Sequence, residues 1–76
     1  MDKISKVMVL IEAELRRATD KYGAFNSPHE GYAVILEELD EMWDEVKGNN
    51  QKEAVMEAIQ VAAMGARFVV DNTSDD

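Results

Sequence analysis

The chain has 76 residues, no cysteine and a net charge of -8, with sixteen acidic residues against eight basic ones. This length allows at most one domain, and the absence of cysteine excludes disulfides and thiolate metal ligands. The acidic balance disfavours nucleic acid and anionic membranes, which call for a basic footprint; a nucleotide carried in with a divalent metal stays admissible, because the metal supplies the positive charge.

Apolar residues make up 46% of the chain, too many for a wholly disordered polypeptide. A chain this short buries little of its surface and is marginal alone. A helical fold of this size gains the missing burial by associating with copies of itself. No apolar run approaches the ~20 residues of a membrane span. The opening MDKISKVMVLIEAELRR lacks the uninterrupted apolar core and small-residue cleavage site of a signal peptide. A cytoplasmic protein is the expectation.

Three helices are signalled, over about 2–21, 28–47 and 51–70, and no strand. In the first, Ile4, Met8, Ile11, Leu15, Ala18 and Tyr22 alternate by four and three, a helical stripe that Val7 and Leu10 widen. Asp2 is placed to cap it, and Gly23 to end it in a left-handed conformation. Ser27-Pro28-His29-Glu30 then reads as N-cap, N1 and a capping-box glutamate. In the second helix Tyr32, Ile35, Leu39, Met42 and Val46 form the apolar stripe, with Leu36 and Trp43 beside it as core. Gly48 is the expected stop, and Asn50 with Glu53 a second capping box. So short a connection predicts that helices two and three form an antiparallel hairpin.

The third helix is apolar around nearly its whole circumference, which normally means burial all round. Two other helices cannot provide that, so a homo-oligomer with this helix at its interface is expected. Met8, Met42, Met56 and Met64 read as core filler. The fold class is therefore all-α, a single domain over 1–71 with a frayed acidic tail at 72–76, completed as a bundle by self-association.

The stretch GYAVILEELDEMWDEV crowds Glu37, Glu38, Asp40, Glu41, Asp44 and Glu45 into nine residues. On a helical wheel Glu37, Glu41, Asp44 and Glu45 oppose Leu39 and Val46, which is the geometry of a solvated face. Glu38 lies on the flank, three residues from Glu41, and carboxylates so spaced suit a hard cation. Helix three repeats the spacing: Glu57 and Gln60 share a narrow polar stripe with Glu53, Arg67 and Asp71. Polar groups on a buried helix need partners. In the hairpin the two pairs face each other at similar depth, where the carboxylates repel unless a cation sits between them.

These residues resemble the MazG-like all-α nucleoside triphosphate pyrophosphohydrolases, which carry E-E-x-x-E on one helix and E-x-x-D on the next. The segment EELDE, Glu37 to Glu41, matches the first motif; EAIQ, Glu57 to Gln60, matches the second with Gln60 in place of aspartate. The resemblance covers about Phe25 to Phe68. It implies a dimer or tetramer of helical bundles that hydrolyses a nucleoside triphosphate to the monophosphate and pyrophosphate using magnesium, with manganese as its substitute. Carried over, Glu38, Glu41 and Glu57 become metal ligands, with Gln60 at the fourth position and Glu37 beside them orienting a ligand or water. Gln60 brings one less negative charge, so lost catalysis, in a helical oligomer that keeps the fold, is the alternative.

The resemblance also implies basic groups for phosphate. Lys47, Lys52 and Arg67 are the candidates, and Arg67 could equally pair with Glu53 or Asp71. Phe25 and Asn26, in the first connection, are candidates for contact with a base. His29 reads as a surface residue. Arg16, Arg17 and Lys21 suit the negative end of the first helix.

Overall fold

A computed structural model describes residues 1–74, and among these the chain forms three α-helices and no strand: α1 (Lys3–Tyr22), α2 (Pro28–Lys47) and α3 (Gln51–Asp71). The final two residues of the acidic tail expected at 72–76 lie outside the described residues.

The helix starts follow the cap signals. The Asp2 carboxylate accepts from Ser5 N at 2.8 Å, and Ser27 Oγ accepts from Glu30 N at 3.1 Å ahead of Pro28. Each satisfies one orphan donor of the first turn. The Glu30 side chain reaches back one residue further than a capping box does, accepting from Asn26 N at 3.0 Å and Asn26 Nδ2 at 2.8 Å.

The helix ends differ more. Gly23 takes φ 70° and ψ −161°, a nearly glycine-only conformation, and its N–H donates to Thr19 O at 2.9 Å. The expected stop at Gly48 is displaced by one residue. Gly48 is right-handed, and Asn49 carries the positive φ of 59°. Asn49 N donates to Val46 O and Asn50 N to Glu45 O, the paired bonds of a Schellman ending. Asn50 is the N-cap of α3 but its side chain makes no capping bond, so the second capping box does not form.

Among the described residues α3 is central: α2 packs on it most closely, α1 packs on its other flank, and α1 and α2 do not pack on each other. The small core holds Ala18, Ala63 and Met64, with Ile11, Leu15, Phe25, Val34 and Ile35 against it. Gly31 permits the closest approach. A Cβ there would lie 2.7 Å from Phe68 Cδ2 and 3.0 Å from Phe25 Cδ2.

Burial expectations change at several positions: Met8, read as core filler, is exposed, as are Tyr32, Leu39 and Val46 of the α2 stripe. Trp43, read as core, is 56% exposed, with Lys47 Nζ over its ring. Glu45, read as solvated, is half-buried. Val55, Met56, Val69 and Val70 of the apolar third helix are exposed in the single chain. Glu38 faces α3 alongside Gly31 and Val34, so α2 is rolled away from its most apolar side.

Candidate metal centre and adjoining cavity

Glu38 and Glu41 stand one turn apart on α2, and Glu57 stands on the first half of α3. Each offers one carboxylate oxygen, and the three oxygens lie within 4.8 Å of one another. Oxygens that close can reach a common hard cation with small side-chain rotations, given metal–oxygen distances of about 2.0–2.6 Å. Glu38 and Glu57 are half-buried and Glu41 is exposed. Glu57 Oε2 is buried and has no hydrogen-bond partner.

The electrostatics agree with an unbalanced cluster. Burial, then the charge of Glu41, then hydrogen bonding to Glu57 push the Glu38 carboxyl up to about 7. Three carboxylates cannot all ionise so close together without compensation.

Glu38 also forms part of the wall of a solvent-open cavity of about 420 Å³. That volume lies in the range of small-molecule sites. Its other walls include Glu37, Gln60, Phe25, Asn26, Arg17 and Arg67. Arg67 is only 5% exposed, and its Nε is buried without a partner. Its Nη2 donates to Gly23 O at 2.7 Å, and its guanidinium carbon lies 4.0 Å from the centre of the Phe25 ring. The expected alternative, pairing with Glu53 or Asp71, does not occur: Arg67 forms no ion pair among the described residues. Asp71 instead accepts from Phe25 N at 2.9 Å. The two bonds fasten the 23–27 connection to α3.

The sequence-derived candidates therefore divide. Glu37, Glu38, Gln60, Phe25, Asn26 and Arg67 share the cavity, and Glu38 joins it to Glu41 and Glu57. Lys47 and Lys52 do not line it. Lys47 lies 3.4 Å from Asp44, and Lys52 borders an open apolar groove with Leu10 and Val55.

Two α1 residues escaped the sequence reading. Arg17 lines the cavity, although it was assigned to the helix dipole. Glu14, 15% exposed, pairs with it; bonds from Arg17 and, to a lesser degree, from the Gln60 amide hold Glu14 below the usual carboxylate range. The spacing of Glu14 and Arg17, three apart, was the available signal.

Compared with protein-family models, with curated proteins and with solved structures, the chain matches none.

Proposed function

We propose that this chain is a MazG-like nucleotide pyrophosphohydrolase: a cytoplasmic, self-associating helical protein that cleaves a nucleoside or deoxynucleoside triphosphate to the monophosphate and pyrophosphate. The observation that carries the reading is the convergence of Glu38, Glu41 and Glu57 beside a cavity with a buried guanidinium. In this reading α2 and α3 are an antiparallel hairpin, which sets their paired motifs at one depth.

The donor set fits a divalent cation, magnesium first and manganese in its place. It is all oxygen, and the unpartnered Glu57 Oε2 lacks a positive partner. Glu38, Glu41 and Glu57 would hold the ion, with the Gln60 amide oxygen as a fourth donor. When bound, it neutralises the triphosphate oxygens and polarises the phosphorus under attack.

The chain supplies the rest. Arg67 and Arg17 offer positive charge to the phosphates, and Phe25 and Asn26 offer a ring face and an amide to the base. Glu37 orients the attacking water and accepts its proton. Water oxygen bonds to phosphorus as the bond between the α- and β-phosphates breaks, and pyrophosphate leaves.

A second reading has its own support. Gln60 lines the cavity as a neutral amide where the resembled motif carries an aspartate, which favours a non-catalytic protein that keeps the fold and binds metal or nucleotide.

Pyrophosphate release from a panel of triphosphates, with and without magnesium, separates the two. The enzyme reading expects magnesium-dependent release that Glu38→Gln abolishes. Release only after Gln60→Asp establishes the second reading, and silence from both proteins sinks the enzyme.

A further inference from the structure

We propose that Asn26 and Glu30 read the base of the nucleotide, admitting cytosine or adenine through the exocyclic amino group and excluding uracil and hypoxanthine, which carry a keto oxygen in its place. This selectivity rests on the nucleotide reading above and narrows its substrate class.

Both residues line the cavity, one from the 23–27 connection and one from the first turn of α2. Their contacts go beyond capping. A capping-box glutamate bonds the N–H of the N-cap residue and leaves the preceding side chain alone. Glu30 Oε1 instead accepts from Asn26 N at 3.0 Å, and Glu30 Oε2 accepts from Asn26 Nδ2 at 2.8 Å.

The backbone bond from Asn26, then its side-chain bond, hold the Glu30 carboxyl below its usual range. It is ionised at neutral pH, and an ionised carboxylate only accepts. The Asn26 atom facing it must then be the nitrogen, since Oδ1 in that place would set acceptor against acceptor. The amide is locked in one sense, and Oδ1 is left as its free acceptor. The connection is itself fastened on either side of Ala24. Arg67 Nη2 holds Gly23 O at 2.7 Å, and Asp71 holds Phe25 N at 2.9 Å. Asn26 follows directly, so a preorganised backbone presents its amide.

The nearby guanidinium is committed elsewhere. Arg67 bonds Gly23 O through Nη2 and Met64 Sδ through Nη1, and its Nε is buried. It brings charge to the cavity rather than a donor edge to a base. The polar groups left for a base are Asn26 Oδ1 and the unused lone pairs of the Glu30 carboxylate, with the rings of Phe25 and Tyr22 in the same cavity. An amino group satisfies such acceptors, whereas a keto oxygen repels them. Asn26 is exposed and Glu30 half-buried, so the discrimination is about ten- to a hundredfold, less than an enclosed site gives.

The test is equilibrium binding, with magnesium, of α,β-methylene analogues, which cannot be cleaved between those phosphates. Two matched pairs are compared: deoxycytidine against deoxyuridine triphosphate, and adenosine against inosine triphosphate. The amino member of each pair should bind about ten- to a hundredfold tighter. Glu30→Gln puts an N–H₂ where a carboxylate oxygen stands, and should bring the ratio close to one. Asn26→Ala, which leaves the carboxylate in place, should lower it. Loss of a helix cap alone does not move this ratio, because it weakens both members alike. Equal binding within each wild-type pair overturns the proposal and leaves the nucleotide reading intact. So does a preference that both variants keep unchanged. Amino-selective binding without pyrophosphate release from the parent triphosphates upholds the proposal and sinks only the enzyme, whereas no binding of any analogue overturns both.

Discussion

Glu38 is where the physics concentrates. Its carboxyl is held near pH 7 by burial and by Glu41, above the value it has in an unfolded chain. Without a cation, the folded form is then favoured while Glu38 is protonated. That contribution is complete below about pH 4.5 and is lost as the pH climbs to about 7, amounting to about 1–2 kcal/mol after solvent screening. Urea unfolding from pH 5 to 8 should show this decline in wild type relative to Glu38→Gln; identical slopes contradict it. Arg67 makes the opposite kind of contribution. Arg67→Met removes the bond to Gly23 O and the stack on Phe25, and should cost about 1–3 kcal/mol. Arg67→Lys should not restore it, since an ammonium neither forks nor stacks as a guanidinium does; the same unfolding measurement decides.

At the scale of the elements, the turn and the tight crossing make distinct predictions. Asn49 carries the left-handed backbone, so Asn49→Gly should raise stability by about 0.5–1 kcal/mol, while Gly48→Ala should be tolerated. Were the left-handed residue Gly48, the order would reverse. Gly31→Ala drives a Cβ into the Phe68 and Phe25 rings. Overpacking should outweigh the gain in helix propensity and leave a net loss of about 1 kcal/mol by chemical denaturation.

The elements also show what could be read in advance. Helix starts were legible because Asp2 and Ser27-Pro28 act through neighbours three residues away. The meeting of Glu38 with Glu57 was legible because two spacings and one short turn set it. The roll of α2 was not. Its apolar residues span a wide arc, and periodicity alone cannot say which part meets α3 and which part stays open. Trp43 was misplaced for that reason. Glu14 and Arg17 were missed because α1 joins the cavity through its packing on α3, which no local pattern encodes.

For the whole molecule, acidity and incomplete burial belong together. Sixteen acids in 76 residues repel one another, and three of them are gathered at one point. On the proposed reading a divalent cation bound there would relieve that repulsion, more strongly as Glu38 loses its proton, so magnesium affinity should rise between pH 6 and 8. Calorimetric titration at the two ends of that range checks the sign. The most direct measurement is the thermal midpoint of the wild-type chain, Glu38→Gln and Glu57→Gln at pH 8, with and without magnesium. A cation held by these carboxylates predicts that wild type gains about 4 °C or more at saturating magnesium, while both variants gain little. A wild-type midpoint that ignores magnesium, with both variants more stable than wild type whether or not the ion is present, would show that the three glutamates only share a crowded acidic surface.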